Sequence, residues 1–365
     1  MKKKIILAMS GGIDSSITAW LLKKKGYKVI GIFMKNWHFN NNSIFDSNCK
    51  EFLDALKISE YLKIKIKILD FSKKYRKFIF NKFLKEYKKN NIPNPDILCN
   101  SIIKFKFFLN YCIKKFKIKL IATGHYLRIK KYKNKFFLLK ALDKKKDQSY
   151  FLYSLNKKNI SNIIFPLGDL NKKDIRRIAK KIKFFNYNKK DSIGICFIGK
   201  NKIIKFLSYY IIFNPGYIKL LNEKKINKHL GINFYNIGQR KGLKIGGIKN
   251  NKKNKPWYVI FKDIKNNIIY ISNKNNNFLK IKKIYIKKIN FILNKKLSNK
   301  ILYNCKIKHG KKISFCKIKN ITPKIIYIKF LNLQKNINNG QSIIIYYKEF
   351  CLFGGIIKSF FFKKC

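Results

Sequence analysis

Acid is what this sequence has least of. Asp and Glu number 16 against 85 Lys and Arg in 365 residues, a formal charge of +69. Such a field attracts polyanions, and nucleic acid is the obvious class. Arginine is nearly missing as well, occurring only as Arg76, Arg128, Arg176, Arg177 and Arg240. The lysine excess travels with Asn, Ile, Phe and Tyr, residues that share A/T-rich codons. Mutational bias therefore accounts for most of the charge, and the charge alone is a weak guide to function. Long apolar runs are absent: none approaches the ~20 residues of a membrane-spanning helix. Met1-Lys2-Lys3-Lys4 leads straight into a core strand and not into a signal-peptide pattern, so a cytosolic protein with no membrane partner is expected. Paired cysteines are absent too. Eight lie scattered at 49, 99, 112, 196, 305, 316, 351 and 365 with no Cys-x-x-Cys among them, which gives no support to an iron–sulfur cluster. In a reducing compartment most of these thiols are small core hydrophobes, and any disulfide is transient.

What is present starts at Ala8–Trp20, AMSGGIDSSITAW. The apolar run Lys4–Met9 before it suits a buried parallel strand, and Ser15–Lys25 behind it carries Ile17, Trp20, Leu21 and Leu22 at helical spacing. Gly11 and Gly12 then fall between a strand end and a helix start, where free backbone N–H groups and the helix dipole favour an anion. A plain capped turn is the competing reading of Gly-Gly-x-Asp alone. The full string Ser10–Ser16 resembles the SGGxDS loop of the ATP pyrophosphatase superfamily. It lacks the Gly-Lys-Ser/Thr ending of a Walker loop, so a kinase or motor ATPase is not indicated.

Strand and helix signals alternate through roughly the first 200 residues: YKVIGIFM (27–34), KIKIKILD (63–70) and LIAT (120–123) read as strands, 72–90 and 102–116 as helices. Such alternation predicts an α/β doubly wound parallel sheet with its ligands at the carboxyl ends of the strands. The chain turns irregular after Gly199, and from about Lys280 short strand-like runs separated by Asn-, Gly- or Pro-containing turns predict a β-barrel. The expected units are a catalytic domain at 1–200, a small mixed central domain at 201–278 and a C-terminal β-barrel at 279–365.

Two solitary thiols narrow the substrate. Asn94-Pro95-Asp96-Ile97-Leu98-Cys99-Asn100 sets an acid three residues before a cysteine. On its own this stretch reads equally well as a helix start capped by Asp96 with Cys99 buried. Cys196 sits in DSIGICFIG close after Lys189 and Lys190, cations that favour a thiolate. NPDILCN, GHYLRI, KKDQSYFLYSL, FPLGDL, KKDSIGICFIG, IGQRKGLKIGG and PWYVIFKDI, in this order and spacing, resemble the tRNA-specific 2-thiouridylases, and the likeness runs from Ala8 to Gly355.

That resemblance implies ATP-dependent thiolation of the wobble uridine of tRNA, with Mg²⁺ accompanying ATP and a cysteine desulfurase or relay protein delivering sulfur. It implies that Ala8, Met9, Ser10, Gly11, Gly12, Ile13, Asp14, Ser15, Met34 and Gly124 bind ATP. Asn94, Pro95 and Asp96 would meet the target base, Asp96 as acid/base helper. Cys196 would carry the persulfide, and Cys99 would be the nucleophile that pairs with it in a disulfide during turnover. His125, Lys146, Asp147, Gln148 and Gln341 would touch tRNA, as would Lys308 and His309, which stand where the family usually has Arg-Tyr. A small-molecule adenylating ligase leaves the two cysteines without a purpose. A basic RNA-binding protein with a decayed nucleotide site leaves SGGIDSS without one.

Overall fold

The computed structural model describes residues 2–37, 47–191, 203–245, 255–273, 279–293, 297–310, 313–322 and 324–362. The opening apolar run forms β1 (Lys4–Met9), followed by α1 (Ile13–Lys24), β2 (Lys28–Lys35), α2 (Ser47–Tyr61) and β3 (Lys65–Asp70). After two long helical stretches come β4 (Ile121–Ala122), the hairpin β5 (Arg128–Tyr132) and β6 (Lys135–Leu139), and β7 (Ile163–Ile164). The parallel sheet has the order β3-β2-β1-β4-β7. The chain thus winds outward from β1 on one side and from β4 on the other, which opens a crevice at their carboxyl ends.

Side-chain alternation along β1 dresses both faces of this sheet. Ile5, Leu7 and Met9 pack with Ile13, Ile17, Ala55, Ile58 and Ile175 on one face. Ile6 and Ile32 pack with Tyr75, Ile79, Phe83, Ile103 and Phe108 on the other. The second face is covered by two continuous helical stretches, 72–88 and 95–116. Both carry π-wound middles, at Arg76–Phe80 and Cys99–Phe108. π-turns of this kind recur at functional sites.

The segment read from sequence as irregular holds a mixed four-stranded sheet. Its strands are β8 (Gly216–Leu220), β9 (Lys225–His229), β10 (Tyr258–Asp263) and β11 (Ile268–Ser272), in the order β10-β11-β8-β9. The C-terminal strands β12 (Lys280–Phe291), β13 (Tyr303–Lys306), β14 (Ser314–Thr322), β15 (Ile325–Lys335), β16 (Ser342–Tyr347) and β17 (Phe350–Phe362) form an antiparallel barrel. Pairing of β12 with β17 closes it around a core rich in isoleucine. Strand β13 and the β5–β6 hairpin were not foreseen in the sequence. The hairpin extends the barrel sheet at Leu139 opposite Phe350.

The barrel is tied to the first domain by buried polar groups. The Tyr150 hydroxyl donates to the carbonyls of Ile307 (2.9 Å) and Ser342 (3.1 Å), and Asn290 Nδ2 donates to the Tyr153 carbonyl at 2.7 Å. At Gly354 a Cβ would lie 2.3 Å from the Tyr153 ring, so no larger residue allows this docking.

Candidate active site

The SGGIDSS turn lies at the crevice. Gly12 is the N-cap of α1 and supplies no side-chain cap, so the first N–H groups of the helix stay available to an anion. Gly11 adopts φ +68°, and a Cβ on it would sit 2.1 Å from the Glu51 carbonyl oxygen. A Cβ on Gly124, just past β4, would come within 2.9 Å of the Asp14 backbone. These two glycines let the strand ends and the helix start close on one another. Gly12 is roomier, its nearest outside neighbour being Ser10 Oγ at 3.5 Å from a built Cβ. Met9, Ile13 and Ser15 are buried. Ser15 Oγ turns inward to the Gly12 carbonyl at 2.9 Å. Ala8 and Met34 are half-buried and Ser10 is exposed.

Asp14 anchors a charge network around this turn. Its Oδ1 accepts from the Tyr126 hydroxyl and from Lys172 Nζ, both at 2.7 Å. The same ammonium lies 2.7 Å from Asp191 Oδ1, and Asp191 Oδ2 takes Lys146 Nζ at 2.6 Å. Burial opposes ionisation of Asp191, but bonds to Lys146 and Lys172 outweigh it and hold the carboxyl below its ordinary range. Sequence reasoning did not single out Lys172, Tyr126 or Asp191 for a role. One lysine in NKKDIRR among so many carries no local signal, although its place at the start of helix Lys172–Lys181 is readable.

The second motif begins a helix at Pro95. Asn94, not Asp96, is the cap: its Oδ1 accepts from the N–H of Asp96 (3.0 Å) and of Ile97 (3.4 Å), and Pro95 fills the first helical position. The sequence reading of Asp96 as cap is corrected on this point, and the Asp96 carboxyl is released from capping. Burial raises its pKa, with Lys104 acting in the opposite direction. Cys99 is 4% exposed. His125 bonds Thr123 Oγ1 through Nδ1 at 2.7 Å and lies between the rings of Phe105 and Phe165. Burial and then Lys104 push its pKa well below the ordinary value, so it is neutral.

The remaining predicted contacts converge on the same side. Gln148 Oε1 accepts from the Tyr126 N–H at 3.0 Å, beside His125. His309 is exposed on one face and has its ring centroid 4.7 Å from that of Phe151, next to the half-buried Lys308. Gln341 closes a barrel turn on the Asn338 N–H. In the same turn, Gly340 packs against Asn91 and Ile92, just before the Asn94 cap. Asp147 departs from its expected exposure. It is 2% exposed, and its carboxylate is consumed by the Ala141 N–H, Ser149 Oγ and Lys306 Nζ, the last at 2.6 Å. Its side chain therefore joins barrel to catalytic domain and does not present itself outward. Cys196 lies outside the described residues.

A two-face-covered parallel sheet, with a glycine loop at its switch point leading into an uncapped helix, defines a doubly wound α/β protein whose switch point is open to an anion. Residues 3–200 match the family model described as tRNA methyl transferase HUP domain. Residues 204–273 match the corresponding PRC-barrel domain, and residues 281–357 an aminomethyltransferase beta-barrel domain. A tRNA-specific 2-thiouridylase MnmA of Buchnera aphidicola from Acyrthosiphon pisum is 47% identical over 358 residues, covering 98% of this chain and 97% of that protein. The protein of the same name from Nitrosomonas europaea is 40% identical over 357 residues, covering 98% of each. The chain belongs to the tRNA-specific 2-thiouridylase family.

Proposed function

We propose that this protein converts the wobble uridine of tRNA to 2-thiouridine, spending ATP to AMP and pyrophosphate. The observation that carries the reading is the chain of neighbours between an anion-ready glycine loop and a helix with a desolvated carboxyl and a thiol: Gly124 packs on the Asp14 backbone, and the next residue, His125, feels the same Lys104 as Asp96. A methyl transfer, the word in two of the family descriptions, has no use for the solitary thiols Cys99 and Cys196. The two cysteines favour sulfur chemistry.

The uracil 2-carbonyl is a poor electrophile, and activation cures this. Asp96 takes the N3 proton, O2 attacks the α-phosphorus of ATP, and pyrophosphate leaves from the loop at Gly11–Ser15. Burial suits Asp96 to this role by raising its affinity for the proton. The terminal sulfur of a Cys196 persulfide then attacks C2, and AMP departs with the C2–O bond. Cys99 thiolate attacks Cys196 Sγ; the S–S bond breaks toward the base, C2=S forms with N3 reprotonated, and a Cys99–Cys196 disulfide remains. An external dithiol resets it, and a desulfurase or relay protein reloads Cys196. Neutral His125, with Lys146, Gln148, Lys308, His309 and Gln341, lines the approach of the RNA.

No three His, Cys, Asp or Glu side chains gather as a metal cage among the described residues, and the loop's Asp14 is engaged by Lys172. Magnesium is thus assigned no protein cage, and no step is routed through it. Among the described residues no helix is long and apolar enough to cross a membrane, and the proposed site of action is the cytoplasm. Expression in a host lacking its own thiouridylase, with mass spectrometry of the tRNA, tests the reading. A gain of one sulfur for one oxygen at the wobble uridine is expected, and unmodified uridine would overturn it.

A further inference from the structure

The run IGQRKGL at 237–243 has no part in the chemistry above, and it holds one of the chain's five arginines. Three of the five are used inside the protein. Arg128 bonds the Lys140 carbonyl and Glu349, Arg176 bonds the carbonyls of Tyr187 and Lys189, and Arg177 pairs with Asp174. Arg76 and Arg240 are exposed and make no such bond among the described residues. Of these two, Arg240 stands on a loop joined to the turn that carries Gln341, an expected RNA contact. We propose that Arg240 is a phosphate clamp for tRNA, held in place by a junction of the first domain, the mixed sheet and the barrel. The inference rests on the function proposed above.

The loop is fastened on both sides of Arg240. Within it, the Asn236 N–H donates to Gln239 Oε1 and Gln239 Nε2 donates to the Lys241 carbonyl, both at 3.0 Å. Against β10, the Gly238 N–H donates to the Val259 carbonyl (2.7 Å) and the Val259 N–H to the Gln239 carbonyl (3.0 Å). Against the barrel, Asn338 is 7% exposed; its Oδ1 accepts from the Ile237 N–H at 2.9 Å and its Nδ2 donates to the Ile237 carbonyl at 3.3 Å. Gly238 adopts φ +82°, and a Cβ on it would lie 2.1 Å from Asn336 Oδ1, so loop and barrel turn meet with no room for a side chain. The same turn reaches the first domain: the Asn339 carbonyl accepts from the Ile92 N–H at 2.8 Å, two residues before the Asn94 cap.

A guanidinium with no carboxylate partner, on a backbone already fixed, is a preorganised fork for two parallel bonds to one anion. Lysine, abundant in this chain, offers only a point charge on a flexible stem. The anion that tRNA repeats at every nucleotide is phosphate. A strand that brings its uridine to Asp96 is thereby gripped by its backbone at Arg240, a contact that sets position and not base identity.

The clamp is tested on the full chain by the dependence of pyrophosphate release on tRNA concentration. Arg240→Gln should raise KM for tRNA about tenfold and leave the maximal rate within about twofold of wild type. The slope of log(kcat/KM) against log salt should fall by about one, the loss of a single phosphate contact. Arg240→Lys should keep the slope and recover only part of KM, because charge returns without the fork. Lys28→Gln removes the same charge from the amino end of β2, opposite the crevice, and should leave KM and slope at their wild-type values. Wild-type KM and slope in Arg240→Gln would overturn the inference, as would a lower maximal rate with KM unmoved. An equal change in Lys28→Gln, or full recovery of KM by Arg240→Lys, would also overturn it, since bulk charge would then suffice. Absence of tRNA-dependent pyrophosphate release in wild type would instead overturn the functional reading.

Discussion

The SGGIDSS loop and the Asn94–Asn100 helix, linked through Gly124 on Asp14 and His125 beside Lys104, handle polar groups in opposite ways. Around the loop, charge is kept by pairing: Asp14, Asp191, Lys172 and Lys146 neutralise one another, while the backbone N–H groups of α1 are left for a ligand. Along the helix, charge is suppressed by burial. Asp96 is pushed toward its protonated form, and Asn100, 4% exposed, leaves Oδ1 without a partner. A paired network suits an anionic ligand such as a triphosphate, and a desolvated pocket suits a neutral base whose proton must be moved.

The comparison is sharpened first where pairing makes deep burial of charge tolerable. Lys306→Met strands Asp147, which is 2% exposed, and should cost about 3–5 kcal/mol of stability by urea unfolding. Adding Asp147→Leu should recover most of that loss. Next in size is Gly11→Val, which needs both φ +68° and space taken by the Glu51 carbonyl. It should lower tRNA-dependent pyrophosphate release by more than about 100-fold, while Gly12→Ala loses far less. On the helix side, Asp96→Asn should slow adenylation about 100-fold near neutral pH. Because the Asp96 pKa is raised and the base form is the working one, wild-type rate should climb with pH through a midpoint above the ordinary carboxylate range. The variant should lack that limb in a pH–rate series. Smallest, Asn94→Ala removes two bonds from the helix start and should cost about 1 kcal/mol in thermal unfolding.

Much of this was legible from local pattern. The strand–SGGIDSS–helix unit, the parallel sheet and most barrel strands follow from apolar period and turn residues, signals that lie within a few residues of each other. What was not legible depends on distant atoms. Which loop glycine is irreplaceable is decided by the Glu51 carbonyl, and whether Asp147 faces outward is decided by Lys306, 159 residues away. Lys172 was hidden for the same reason, compounded by a composition in which lysine is everywhere. The individual strands β8–β11 of the expected mixed central domain were not read out, because short strands split by Asn- and Gly-rich turns blur the period-2 signal.

The central claim is that activation of the base and delivery of sulfur are separate steps carried by separate residues. It is tested most directly by measuring pyrophosphate release and 2-thiouridine formation together in Cys196→Ser. The account predicts tRNA-dependent pyrophosphate release near the wild-type single-turnover level with no 2-thiouridine formed. Thiolated tRNA from that variant, or loss of pyrophosphate release along with the sulfur, would contradict it.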